Sequence, residues 1–223
     1  MFPLVSLIVS LAVQPAVPAA PVAAEAEAKV AATAAPLPLG GLSDDAVFAR
    51  AADAIEAIDT LKGRFVQTAP DGLVTSGTVY LDRPGRLRFD YDAPEPLRIV
   101  ATNGLVYVED TDIETVDSYP VGQTPLRFLL AERVDRDGAR LREVVRNPGE
   151  VALRLAAADE DLQGEVILAF ASEGDALTLS RWAVVEPNGG VTVVALSEVE
   201  TGMRLSRRLF RAPEAGGFGL RDR

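Results

Sequence analysis

At Gly63 the apolar residues of this chain change their spacing, and nearly everything beyond that point follows a period of two. Before it, Val47, Ala51, Ile55, Ile58 and Leu61 recur at intervals of three and four, one apolar stripe along a predicted helix over 43–62. Ser43 stands where an N-cap belongs, Asp44 and Asp45 suit the positive end of the helix dipole, and Gly63 is expected to end the helix. After it, Phe65 and Gln67 open a strand, TSGTVYLD alternates over 75–82, and Leu87, Phe89 and Tyr91 share one face of the next. Further strands are predicted near 97–102, 105–110, 113–119, 141–147, 151–157, 165–171, 177–185, 191–199 and 203–210. Turn residues separate them: Pro84-Gly85, Asn103-Gly104, Pro148-Gly149, Gly174-Asp175 and Asn188-Gly189-Gly190. No intervening segment is long enough for repeated helical crossovers, so the sheet should be antiparallel and should curl into a barrel or half-barrel.

One stretch breaks the pattern. Thr124-Pro125-Leu126-Arg127-Phe128-Leu129-Leu130-Ala131 offers a cap residue, Pro at the first helical position and an apolar run. A short helix this apolar must be buried, and the concave face of a curved sheet is the natural place.

Composition narrows the chemistry. The chain has no Cys and no His, which removes disulfides, thiolate nucleophiles, Ser-His-Asp triads and the usual zinc sets. A net charge of −11 argues against nucleic acid as a partner. Residues Leu4 to Val13 form an apolar run the length of a signal-peptide h-region, too short to span a membrane. No Lys or Arg precedes it, and small residues make cleavage after Ala19, Ala20 or Ala24 the expectation. The expected organisation is a signal peptide over 1–24, a disordered linker over 25–42, a single domain over 43–213 and a tail over 214–223. No Cys stands at a cleavage site, so the protein is not expected to carry a lipid itself.

The stretch from Phe65 to Ala131 carries FVQ at 65–67, LDRPGRLRFDYDAP at 81–94, LRIVATNGLVYVED at 97–110, IETV at 113–116 and TPLRFLLA at 124–131. In this order, with F-R-A-P at 210–213, it resembles the periplasmic outer-membrane lipoprotein carrier family, LolA. The resemblance implies a mainly β protein: an incomplete antiparallel barrel of about eleven strands, with a helical lid over a hydrophobic cavity. It implies a non-enzymatic, cofactor-free, monomeric chaperone in the periplasm. Such a carrier takes acylated lipoproteins from an inner-membrane lipoprotein-releasing transporter to an outer-membrane acceptor lipoprotein or to the outer membrane directly. Carried over residue by residue, it makes Arg83 the latch that holds the lid. Leu87 and Phe89 become cavity residues (Phe89 where the family often has Trp), with Ile99 and Val100 on the following strand. Leu126, Phe128, Leu129 and Leu130 match the lid, and Arg127 departs from its usual apolar run.

Blander readings stay open beside these. Arg83 is also what a solvated turn contains, and Leu87, Phe89 and Tyr91 are what a filled core needs. Trp182 suits core or rim. Glu109, Asp110, Asp112 and Glu114 lack the spacing of a calcium loop and fit a charged turn, as do Asp159, Glu160 and Asp161. Arg204, Arg207, Arg208 and Arg211 fit edge protection or, less simply, an acidic docking partner. A binding or sensor protein for another amphiphile on the same fold is the rival function. A carboxylate glycosidase is disfavoured by 6% aromatic content.

Overall fold

Ser43 caps the first helix as expected, its hydroxyl accepting from the Ala46 amide at 3.3 Å, and α1 runs Asp44–Glu56. In the computed structural model, which describes residues 37–158 and 164–213, α1 is followed by eleven strands. They are β1 Thr60–Thr68, β2 Val74–Asp82, β3 Arg86–Tyr91, β4 Leu97–Thr102, β5 Leu105–Asp110 and β6 Thr115–Pro120. After a short helix, α2 (Arg127–Leu130), come β7 Ala139–Asn147, β8 Glu150–Ala157, β9 Glu165–Glu173, β10 Ala176–Val185 and β11 Val191–Thr201. All lie in one antiparallel sheet in the order β6-β5-β4-β3-β2-β1-β11-β10-β9-β8-β7. Its edges are β6 and β7, and the sheet does not close.

Hairpin chemistry sets the order. Thr102 pairs with Leu105 across Asn103 and Gly104, both at positive φ, the two-residue turn whose twist matches that of the strands. Among the described residues the only non-hairpin pairing is β1 with β11, which joins the two halves. Alternation then sends Leu61, Phe65, Val79, Leu81, Leu87, Phe89, Leu153, Leu155, Leu168 and Trp182 into one apolar core, shared with α1 and α2. Each large side chain so buried contributes roughly 1.5–3 kcal/mol. Outward positions carry ion pairs such as Arg86–Asp82 at 2.9 Å and Arg88–Asp90 at 2.7 Å. Such partly exposed pairs contribute about 1 kcal/mol each.

Several expectations need correction. The helix does not reach residue 62: Ala57 caps it, its amide bonding to Asp53 O at 2.9 Å, and Leu61 and Gly63 belong to β1. Backbone pairing of β1 on both sides, to β2 and to β11, outweighs a stripe that two more apolar residues would have extended. The twelfth strand is absent. Residues 203–206 are irregular, and Arg207–Phe210 forms a 3₁₀ turn capped by Ser206. This segment lies across the outside of β3 and β4, with Arg88 donating to Leu209 O at 3.0 Å. Its arginines therefore guard no strand edge. Residues 37–42 are not a disordered linker, since they form turns that bury Leu39 in the core. The signal peptide, the rest of the linker, the 214–223 tail and the Asp159–Asp161 run lie outside the described residues.

Candidate functional site

The inner face of the sheet is lined by alternate residues of successive strands, and α2 closes over it. Leu87 and Phe89 of β3 point inward and are almost fully buried. Ile99, paired with Phe89 across β3–β4, joins them. Phe128, Leu129 and Leu130 of α2 are buried in the same core, and Leu126 packs at its margin. Trp182 belongs to this core, its ring 6.1 Å from that of Phe89. Val100 does not join the group. It pairs with Arg88, an outward residue, so it faces away from Leu87 and Phe89. It is buried all the same, because the C-terminal segment covers β3 and β4 on that side.

The lid differs from expectation in extent. Thr124 makes no cap, and residues 124–126 form a turn before the single helical turn Arg127–Leu130. Arg127 fits this apolar element by turning outward, its guanidinium 3.2 Å from Gly122 O and 5.9 Å from the centre of the Phe128 ring.

Arg83 ties three elements together. It leads the β2–β3 turn, and its guanidinium donates to Ile55 O at the end of α1 and to Ala131 O just beyond α2. Both carbonyls sit at helix ends, and Ile55 O also accepts the Ile58 amide at 3.1 Å in the turn that follows α1. In the same turn the Gly85 amide donates to Leu130 O at 3.0 Å. Burial pushes the Arg83 pKa down and nearby Glu56 partly restores it. Glu56 has a second role, missed by any sequence pattern: its carboxylate accepts the Val134 amide at 2.9 Å, holding the chain that leaves α2.

Little space remains beneath the lid. Between Leu61, Leu81, Leu87, Leu129, Trp182 and Leu196 there is about 10 Å³, close to the room for a single water. A larger opening of about 250 Å³ lies beside α2, between Gln123, Pro125 and Phe128 on one side and Val184–Pro187 on the other. The groove of about 490 Å³ between α1 and residues 133–136 has a mixed lining, Phe48, Ala52 and Val134 alternating with charged groups such as Asp45, Glu56 and Arg136.

On the inner face, polar side chains of β1, β2 and β3 meet beside the Phe65 ring. Tyr91 donates to Gln67 Oε1 at 2.9 Å, and its ring meets Phe65 edge to face at 5.0 Å. Burial raises the Tyr91 pKa from 10.0 to about 12, the Gln67 bond opposing and Glu95 adding to the rise. Between pH 10 and 12 the folded protein therefore keeps a proton that the unfolded chain has lost, so stability falls as pH rises through that window. The contribution, complete below pH 10, is about 2–3 kcal/mol. Urea denaturation at pH 9 and pH 12 should show Tyr91→Phe losing less stability between the two than wild type, by roughly that amount. Equal losses would mean that the phenol ionises as if exposed.

Among the described residues no helix is long and apolar enough to cross a membrane. The sequence profile of the outer membrane lipoprotein carrier protein family, LolA, matches residues 56–213. An outer-membrane lipoprotein carrier protein from Methylococcus capsulatus is 28% identical over 172 residues, covering 73% of this chain and 81% of that one. One from Methylibium petroleiphilum is 36% identical over 101 residues, covering 37% of this chain and 50% of that one. Among solved structures, a LolA superfamily protein from Nitrosomonas europaea aligns with 77% of this chain and 98% of its own length, at TM-score 0.47 and 11% identity. With the family profile matched from the end of α1 to the last described residue, the chain belongs to the outer membrane lipoprotein carrier protein family, LolA.

Proposed function

We propose that this protein is a periplasmic carrier that takes the acyl chains of lipoproteins between its inner sheet face and α2, and passes them from an inner-membrane transporter to an outer-membrane acceptor. The observation that carries this reading is the closure of α2 by Arg83 over an apolar interior with almost no free space. Burying an acyl chain gains on the order of 10 kcal/mol at about 0.8 kcal/mol per CH₂, which would hold cargo too long for a shuttle. A lid that fills the interior when empty lowers that gain. Cargo must displace Leu129 and its neighbours and break the Arg83 bonds, so only the difference counts as affinity.

Mass spectrometry of material bound to the purified protein tests the cargo class, and a different amphiphile would move the protein to the rival reading. Photo-crosslinkers locate the site. At Leu87, Phe89 or Leu129 they should capture lipoprotein, whereas at Val100, on the other face, capture should fall at least tenfold. Equal capture at Val100 would place the cargo outside the sheet's inner face.

A further inference from the structure

We infer that Gln67, Thr75 and Tyr91 form a binding site for the acyl ester carbonyls that join fatty chains to a glyceryl head group. The inference rests on the carrier reading and adds to it a polar recognition element. Gln67 and Thr75 face each other across β1–β2 on the inner face, and Tyr91 lies diagonally from Thr75, opposite Gly77. Gly77 makes the grouping possible. With no side chain there, the Phe65 ring lies over β2, and Tyr91 stacks edge-on against it with its hydroxyl at Gln67.

Hydrogen-bond supply and demand at this spot do not match. The amide of Gln67 carries two N–H hydrogens and the hydroxyls of Tyr91 and Thr75 one each. Only one of these is used within the group, in the Tyr91–Gln67 bond, whichever way the amide is turned. Thr75 Oγ1 is buried and has no partner among the described residues. Buried polar atoms are nearly always bonded, so an unused hydroxyl beside spare amide donors marks a place built for an acceptor. An ester carbonyl is an acceptor with nothing to donate, and it enters apolar surroundings at far lower cost than a charged phosphate.

Position agrees with that chemistry. The β1–β2 turn adjoins the β10–β11 turn, where a side chain at Gly190 would come within 3.3 Å of Pro70. That is the end at which Val184–Pro187 border the opening beside Phe128. Arg83 and its turn lie at the opposite end of β2. Chains that enter here would run towards Leu61, Leu81 and Leu87, leaving their ester linkages level with Gln67, Thr75 and Tyr91.

The test uses the full mature chain and a matched pair of probes: a peptide with an S-diacylglyceryl cysteine, and its dialkyl ether analogue, which lacks both carbonyls. Wild type should bind the ester about tenfold more tightly, the value of two neutral hydrogen bonds. In Gln67→Leu/Thr75→Val/Tyr91→Phe, which removes every side-chain donor of the group, the ester-to-ether ratio should fall to about one. Because each protein is its own control, a loss of stability does not disturb the ratio. The same pair built on a phospholipid separates the sources. Discrimination in both pairs assigns the site to the linkage, and in the peptide pair alone to lipidated protein. Tight binding of both peptides with a ratio near one in wild type would overturn this inference and leave the carrier reading standing. Binding of neither would remove both.

Discussion

Arg83→Leu should leave the carrier loaded: cargo binds at least as well as in wild type, but release to an acceptor slows about a hundredfold. The guanidinium holds the carbonyls of Ile55 and Ala131 at once, so the empty protein closes with α1, α2 and the β2–β3 turn pinned together. Charge-assisted bonds of this kind contribute roughly 1.5–3 kcal/mol each. Losing about 3 kcal/mol of preference for the closed, empty state shifts the loaded equilibrium by about two powers of ten. The cargo contacts themselves are untouched. Arg83→Lys should lie between, because one ammonium on a flexible stem cannot reproduce a planar fork spanning two helix ends. The melting temperature of Arg83→Leu should drop by only a few degrees, since both freed carbonyls sit at helix ends that can hydrate and a partly buried charge is removed. A transfer assay with the three proteins, alongside thermal melts, reads both quantities. Wild-type release from Arg83→Leu would reduce Arg83 to a turn residue.

How far the sequence carried the fold depended on where local pattern and tertiary pairing agree. Period-two stretches bounded by Asn-Gly and Pro-Gly gave strands because alternation and turn chemistry point the same way there. At Ile58 and Leu61 they diverge. Both extend a helical stripe, yet Thr60 onwards gains two ladders of backbone hydrogen bonds as β1, a contest decided by partners far away in the chain. Residues 203–210 alternate as a strand would, but no open edge lies beside them, and the outer face of β3 and β4 takes them instead.

The site shows the same division. Ile99 and Val100 are neighbours on one strand, so period two lets only one face inward. The family resemblance groups them, and the structure separates them because both faces of β4 are covered. The family resemblance points Arg83 towards the 124–131 segment, where it donates to Ala131 O, but nothing in the sequence of α1 indicates its bond to Ile55 O. Gln67 and Tyr91 occupy inward positions that alternation does identify, beside Phe65 and Phe89. Their meeting depends on Gly77, whose missing side chain is visible in the sequence only as an ordinary strand glycine.

That glycine should be the least replaceable residue of the domain. A Cβ at Gly77 would stand 2.1 Å from Asp90 O and 2.5 Å from the Phe65 ring, both well inside contact distance. The ring could swing aside at a cost of about 1–3 kcal/mol, as in other overpacked cores. The carbonyl cannot, because Asp90 belongs to β3, which is paired with β2 and β4 on its two sides. Gly77→Ala should therefore cost upwards of about 4 kcal/mol, among the larger effects of single substitutions, and lower the melting temperature by roughly 10 °C or more. Gly63→Ala is the graded comparison. Its Cβ would meet Ser197 O at 3.1 Å, beside the bulge between β1 and β11, where a shift of a few tenths of an ångström suffices. Gly122→Ala, with nothing within 4 Å, should be close to neutral. Combining Gly77→Ala with Phe65→Leu identifies which clash dominates. If the backbone carbonyl is the obstacle, shrinking the ring rescues little and the double variant melts no higher than Gly77→Ala. Recovery to within a few degrees of Phe65→Leu alone would show instead that the ring was the only obstacle, and that β3 has room to yield.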